Sequence, residues 1–163
     1  MAGLKAIQEV LSDPQLKLTQ AKDVRWLSHE KAVRNLRQCL PSVLASLERE
    51  ATERHDAQAR GLALFVKDTF FVASVYFLSD VLPPLAQLSR AFQKTAIDFS
   101  VVKPLVQGTK DCISGLLTQH GEMFKELSLD MENLVSHGFK EQTDEHMSRF
   151  KRQVYEPYLT SLS

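Results

Sequence analysis

The sequence is poor in cysteine, the residue that most often builds disulfides and structural metal sites. Its 163 residues include two cysteines, Cys39 and Cys112, and neither has a second Cys or His at metal-ligand spacing. So low a count excludes a disulfide-stapled fold and is typical of a reducing compartment. The sequence therefore predicts an intracellular protein with two free, buried thiols and with no bound metal or cofactor.

An excess of charge of either sign is also missing. Twenty Lys and Arg residues balance 20 Asp and Glu residues, so no general positive field attracts nucleic acid or anionic lipid. The longest apolar-rich run, residues 62–88, is interrupted by charged residues and two prolines, and the N-terminus has no signal-peptide core. We expect no membrane partner, and a nucleic acid would have to meet a local basic patch.

The common catalytic motifs are absent as well. The sequence has no glycine-rich phosphate loop, no His-Glu-x-x-His, no Cys-x-x-Cys and no Gly-x-Ser-x-Gly. The acidic pairs Asp130 with Glu132 and Asp144 with Glu145 point in different directions on a helix, which predicts solvated surface charge. His120 lies on the apolar side of a predicted helix and is interpreted as a core or boundary histidine. No catalytic residue and no small-molecule substrate is predicted.

What the sequence has is helical periodicity. Apolar residues recur at spacings of three and four along most of the chain, and its length suits one domain. We predict a single all-α domain over residues 1–163, an irregular bundle of five to seven helices. One helix is predicted to begin at Ser28 as its N-cap and to be split at Pro41, and Asp56 is predicted to cap the next.

Two of the predicted helices are long. The first is the helix capped by Asp56, which is predicted to be central and densely apolar up to Leu82, after which Pro83 and Pro84 restart the chain. Residues 70–77 are rich in β-formers, so a strand competes there, but the apolar run is longer than a usual strand and favours a helix. The second long helix, in the C-terminal half, is capped by Asp98 or Ser100.

This second long helix is predicted to run to Leu134, about ten turns. His137 and Gly138 then break the pattern. A last helix follows and is predicted to be interrupted by Pro157.

A basic and aromatic cluster lies at the start of the predicted second helix. Between residues 22 and 37 five basic side chains face two acidic ones, and some of the basic residues share one helix face. The single tryptophan can stack on an unpaired base. Alternatively, it is a core anchor beside a solvated basic face. The candidate nucleic-acid-binding residues are Lys22, Arg25, Trp26, Lys31, Arg34 and Arg37.

Two stretches of sequence resemble a known family. They are Val24-Arg25-Trp26-Leu27-Ser28 before a helix and the segment 77–93, with Leu-Ser-Asp-Val-Leu-Pro and Leu-Ser-x-x-Phe-Gln. Over residues 17–158 the chain resembles hAT superfamily transposases, especially the host-adopted, zinc-finger-type transposase-like proteins. In that family an Arg-Trp pair stands at the start of a large all-helical insertion in a ribonuclease H-like core.

The resemblance implies roles for the Arg-Trp pair. Trp26 would stack on a base flipped out of DNA, and Arg25 would lie near the DNA or brace the site. The catalytic carboxylates of the family lie before the pair and after the insertion, outside this chain, and no zinc-finger module is visible. DNA cleavage is therefore not expected.

The resemblance implies a non-catalytic helical module of a domesticated, nuclear transposase-like protein, with a transcription-related role. Its expected partners are other proteins or the domains of its parent protein. Retained DNA binding is the alternative, and an unrecognised helical enzyme is a third. Four aromatic residues are candidates for an exposed partner surface, or else they belong to the core: Phe139, Phe150, Tyr155 and Tyr158.

Overall fold

A computed structural model describes residues 2–16, 26–93 and 99–162, and no strand occurs in these ranges. The predicted all-α class is confirmed, and so is the helix rather than strand at residues 70–77. The elements are α1 (Ala2–Val10), α2 (Trp26–Gln38), α3 (Leu40–Glu53), α4 (Ala57–Val66), α5 (Thr69–Phe92), α6 (Phe99–Thr118), α7 (Glu122–Ser136), α8 (Asp144–Phe150), a π-helical turn (Lys151–Tyr155) and α9 (Glu156–Leu162). Because the last three form one helical run, eight separate helices are described, slightly more than the predicted five to seven.

Helix α5 is the centre of the structure. It packs against α2, α6, α7 and α8. Its side chains from Val72 to Ala86 supply much of the core, and Phe77 and Val81 are buried among them. The other helices cover α5 with their own apolar faces, which explains the density of apolar residues around its circumference.

The predicted central helix is divided in two. Helix α4 ends at Val66 and the backbone is extended at Asp68, whose side chain accepts a hydrogen bond from the Phe70 N–H at 2.9 Å and caps α5. Asp56 caps α4 in the same way, as predicted, and accepts from the N–H groups of Gln58 and Ala59. The sequence analysis missed the second Asp cap because the apolar pattern continues through it.

The predicted restart at Pro83 and Pro84 is wrong, since α5 continues through both prolines to Phe92. Two prolines remove the N–H bonds to the carbonyls one turn earlier, at a cost of about 3 kcal/mol each in an isolated helix. The flanking residues Val81, Leu82 and Ala86 are all buried in the core. Tertiary packing on both sides of the prolines therefore outweighs the local preference.

The predicted ten-turn helix is also wrong, because residues 119–121 separate α6 from α7. Gly121 is the N-cap of α7 and has no side chain to cap it. The carboxylate of Asp80, from α5, accepts instead from Met123 N–H at 3.0 Å and from Phe124 N–H at 2.8 Å. A Cβ on Gly121 would overlap this carboxyl group. The break is thus stabilised by a residue distant in sequence.

Helix α3 also begins with a side-chain contact from a residue that is distant in sequence. Pro41 separates α2 from α3, as predicted, and the N-cap Cys39 gives no side-chain cap. Asp13 accepts from both the N–H and the hydroxyl of Ser42, in the first turn of α3. Burial first, and then the Asp13 charge, raise the pKa of the Cys39 thiol to about 11, against a lowering hydrogen bond from Gln8. Asp13 therefore holds the N-terminal segment against α3.

The C-terminal run passes Pro157 without a break, contrary to the prediction. The π-helical turn precedes the proline, and Glu156 N–H donates to the Lys151 carbonyl, five residues earlier. This wider turn lets the chain accommodate a residue that lacks an N–H. The predicted break at His137 and Gly138 is confirmed, with Gly138 at a φ of 92°.

Three smaller predictions change. Helix α2 begins at Trp26, so Ser28 lies in its first turn and is not the N-cap. Ser100 lies inside α6 and does not cap it, while Asp98 falls outside the described residues. Cys39 is buried as predicted, but Cys112 is exposed, at an open groove between α5 and α6.

Candidate functional site

The candidate nucleic-acid cluster is only partly within the described residues. Lys22 and Arg25 lie outside them, and so does the side chain of Trp26, whose backbone begins α2. Lys31 and Arg34 are exposed on α2. Arg34 pairs with Glu30 one turn earlier at 2.9 Å.

Arg37, the last residue of the cluster, turns inward. Its side chain is 18% exposed and its Nη1 lies 3.4 Å from Glu126 of α7. Its guanidinium also lies 5.5 Å from the centre of the Tyr76 ring. The Nε of Arg37 is buried and has no hydrogen-bond partner among the described residues. Arg37 therefore joins α2, α5 and α7 and is not a freely solvated cation.

Asp130 extends this polar contact. The Tyr76 hydroxyl donates to Asp130 Oδ2 at 2.7 Å. Burial first, and then the bond and charge of Asp130, raise the pKa of Tyr76 well above its usual range. The prediction that Asp130 is a solvated surface charge is wrong. Its partner Tyr76 lies on another helix, so the spacing of the acidic residues along α7 could not reveal this contact. Glu132, Asp144 and Glu145 are exposed as predicted.

A groove between α2 and α5, which we call the arginine groove, has a volume of about 310 Å³. Its charged lining consists of Arg34, Arg37 and Arg90 with Glu30. Arg90 belongs to the last turn of α5 and has no ion-pair partner among the described residues. The sequence analysis missed it, because only the packing of α5 on α2 brings it beside the earlier arginines.

The walls of the arginine groove are apolar. They are formed by Leu78, Leu82, Pro83 and Met123. A charged rim over apolar walls suits a ligand with an anionic group attached to a less polar part.

Helix α4 presents a second surface. Its small residues Ala59 and Ala63 are buried, mainly against α3, whereas Leu62 is 53% exposed and Phe65 is 59% exposed. Leu62 and Phe65 are three residues apart and share one face. The Phe65 ring packs on Phe71 with the ring centres 4.9 Å apart. We call Leu62, Phe65 and Phe71 the α4 surface.

The other flank of α4 borders a groove of about 550 Å³ shared with α3. Leu64, which is 62% exposed, lines it beside Ala51 and Ala63. Arg60 lies on the rim of this groove and has no ion-pair partner among the described residues. Both flanks of α4 thus expose apolar side chains to solvent.

The aromatic residues proposed as a partner surface lie elsewhere. Phe139, Phe150 and Tyr155 are at most 5% exposed, and Tyr158 is partly buried against the same core. Their interpretation as an exposed surface is wrong. They cover α5, and the alternative reading as core residues is correct.

His120 lies at the boundary of this aromatic core. Its Nδ1 is 3.1 Å from the Tyr155 hydroxyl, which itself donates to the Leu116 carbonyl at 2.8 Å. Burial first, and then Lys151 and Lys125, lower the pKa of His120. Burial raises the pKa of Tyr155 to about 12. His120 is therefore a satisfied boundary histidine, as predicted.

A metal site and a membrane span are two further features for which the described residues can be searched. Within the described ranges, no group of three or more His, Cys, Asp or Glu side chains is arranged to hold a metal ion. By length and composition α5 could cross a membrane, but half of its apolar window is buried inside the protein. A core helix meets the same criterion, so this is a weak sign.

Comparison with protein-family profiles, characterised proteins and solved structures finds no match to this chain.

Proposed function

We propose that the protein is a non-catalytic helical module of a domesticated hAT transposase-like nuclear protein, and that it binds a partner protein through α4. The α4 surface is the observation that supports this proposal most directly. Leu62 and Phe65 are each more than half exposed, although either would contribute about 1.5–3 kcal/mol if it were buried. An exposed apolar face of this kind is typical of a site that a partner covers.

The partner is proposed to be a short amphipathic helix of another protein or of a parent-protein domain. Gly61 lies between the exposed side chains, and a Cβ there would meet nothing within 4 Å. Glycine in a helix interior costs about 1 kcal/mol against alanine, yet packing among the described residues does not require it. It leaves room for the backbone of a partner to approach α4 closely.

The charge of Arg60 indicates which charged side chain the partner carries. Arg60 is exposed on the other flank of α4, at the groove shared with α3, and lacks an ion-pair partner in the described part of the chain. A partner helix that approaches α4 at Gly61 would meet both flanks, and an acidic residue on its Arg60 side would pair with this arginine. The proposed partner segment therefore carries apolar residues at helical spacing and at least one acidic residue beside them.

The test compares the full chain with Leu62→Ser/Phe65→Ser and with the control Phe92→Ser, which changes an exposed aromatic residue on α5. Proximity labelling in nuclei identifies the neighbours of each form, and circular dichroism verifies folding. We expect one set of proteins to be lost with the α4 variant and kept with the control. The proposal fails if the folded α4 variant keeps the same neighbours or if the wild-type chain is not nuclear.

Retained DNA binding is the second candidate, and it is supported by the exposure of Lys31 and Arg34 on the helix that Trp26 begins. The pairing of Arg34 with Glu30 weakens this support. Fluorescence anisotropy of a DNA hairpin with an unpaired base, at two salt concentrations, tests it. Salt-sensitive binding that weakens in folded Trp26→Ala supports the candidate. No binding at low salt contradicts it.

A further inference from the structure

We propose that the arginine groove between α2 and α5 binds a phosphomonoester dianion. The site is defined by Arg34, Arg37 and Arg90, which come from two helices and line one cavity of about 310 Å³. Guanidinium groups bind phosphate oxygens through paired N–H donors. The proposal does not depend on the α4 surface.

The charge of the groove selects the ligand. Among the described side chains that line the groove, three guanidinium groups accompany one carboxylate, that of Glu30, and Glu126, outside the lining, pairs with Arg37, so the positive charges remain in excess. A phosphomonoester carries about −1.5 to −2 at neutral pH, whereas a carboxylate carries one negative charge. A dianion therefore matches the groove and a simple carboxylate does not.

The three arginines differ in how free they are to bind. Arg90 makes no ion pair within the described ranges and is exposed. Arg37 Nε is buried without an acceptor among the described residues, and the contact of Arg37 with the half-exposed Glu126 is long, at 3.4 Å. The buried Nε offers no surface to an anion in the groove, so Arg37 contributes mainly its positive charge. Arg90 is therefore the proposed principal ligand.

Other polar groups around Arg37 do not compete strongly for it. The Ser79 hydroxyl in the groove already donates to the Val75 carbonyl at 2.8 Å. Asp80 is near Arg37, but its two oxygens accept from backbone N–H groups of α7. Arg34 is 54% exposed, but its partner Glu30 is only 12% exposed and lies 2.9 Å away, so Arg34 is less available to an anion than Arg90.

The apolar walls indicate what the phosphate is attached to. Leu78, Leu82 and Met123 offer contact area beside the charged rim, so inorganic phosphate should bind more weakly than a phosphomonoester with an apolar or planar part. A nucleoside monophosphate and a phosphorylated hydroxyl side chain both present this chemistry.

The experiment is isothermal titration of the full chain, in low-salt buffer without phosphate. The ligands are inorganic phosphate, a nucleoside 5′-monophosphate, a short phosphoserine peptide and acetate. The variants are Arg90→Gln and Arg34→Gln, with Arg152→Gln as the matched control. Arg152 is an exposed arginine of the π-helical turn and does not line the groove.

We expect saturable binding of the phosphomonoesters that weakens about tenfold in Arg90→Gln and changes less than about twofold in Arg152→Gln. Acetate should bind at least about tenfold more weakly. Whether the nucleotide or the phosphopeptide binds more tightly identifies the apolar part. The proposal is overturned if no saturable binding occurs, if acetate binds as tightly as phosphate, or if Arg152→Gln loses as much affinity as Arg90→Gln, and none of these results bears on α4.

Discussion

Asp80 and Gly121 form an interdependent pair. In Gly121→Ala the new Cβ overlaps the Asp80 carboxyl group, which must leave the two N–H groups that it caps on α7. We expect a loss of about 1–3 kcal/mol in the free energy of unfolding, measured by urea denaturation. The backbone at Gly121, with φ −64° and ψ 163°, is open to any residue, so the loss comes from this overlap.

A double-mutant cycle with Asp80→Ala isolates the interaction. The alanine at 80 removes the carboxyl atoms but keeps its Cβ, so the cost of Gly121→Ala should fall without vanishing. A coupling of about 0.5–3 kcal/mol is expected for residues in contact. Gly108→Ala is the control, because a Cβ there has open space. Additive losses at 80 and 121 would show that the carboxylate is not the group that requires the glycine.

His120 makes stability depend on pH. Its pKa is lowered from 6.5 in the folded protein, chiefly by burial, so below pH 6.5 the unfolded chain binds the proton more readily. The free energy of unfolding therefore falls as the pH is lowered from 7 through 6.5 towards the folded pKa. We expect His120→Gln to flatten this slope, as measured by denaturation at a series of pH values.

A second titrating group, Asp80, and a control variant at His55 help to assign this pH dependence to His120. Burial raises the pKa of Asp80 above 3.8, so Asp80 contributes stability as the pH falls, with the opposite sign, and cancels when variants are compared at each pH. His55→Asn changes an exposed histidine in the left-handed region, which asparagine tolerates. An unchanged slope in His120→Gln would assign the pH dependence to other groups.

At the scale of the elements, Gly61 is predicted to lower the free energy of unfolding and to favour the binding of a partner to α4. Gly61→Ala should raise the free energy of unfolding by up to about 1 kcal/mol, because the position is helical, exposed and unobstructed. The same change should weaken partner binding through α4, since it fills the space left for close approach. Thermal denaturation and the proximity labelling described above measure the two effects.

Gly115→Ala supplies the matched control on α6, where a Cβ also meets nothing within 4 Å. It should stabilise the protein to a similar degree and leave the neighbours of α4 unchanged. If Gly61→Ala stabilises the chain and retains every neighbour, then the glycine is not there for a partner.

The element boundaries show what the sequence could predict. Asp56 and Pro41 each act at the start of their own helix, so local sequence rules predicted both of these helix starts. Asp13 and Asp80 cap helices distant in sequence, and no local pattern contains that information. Pro83 and Pro84 failed as breakers for the related reason that burial of the surrounding α5 residues outweighs the local cost. Tertiary contacts therefore decided most of the errors.

The same distinction applies to the candidate site. The basic residues of α2 were found from composition, but their environment was not. Arg37 turned out to be engaged by Glu126 and Tyr76, and Arg90 joined the cluster through packing alone. The exposed apolar surface was expected on the last helices and lies on α4, because a helical pattern gives the side that is apolar but not whether a neighbour covers it.

For the whole molecule, we expect α5 to make the described helices one cooperative unit, because most of them pack against it. Phe77 is 2% exposed, and its ring centre lies 4.7 Å from that of Tyr155 and 5.6 Å from that of Tyr158. Phe77→Ala should therefore cost about 3–5 kcal/mol, a large part of the 5–15 kcal/mol typical of a domain. Because one residue contacts both the π-helical turn and α9, the loss should appear throughout the protein.

Chemical denaturation followed by far-ultraviolet and by near-ultraviolet circular dichroism tests this cooperativity. In Phe77→Ala both transitions should move together to lower denaturant, because the helices and the aromatic core depend on the same contacts. Phe92→Ala, at a position that is 39% exposed, should change the free energy of unfolding by no more than about 0.5 kcal/mol. Separate transitions would mean that the C-terminal helices unfold independently of α5, and the molecule would then be two stability units rather than one.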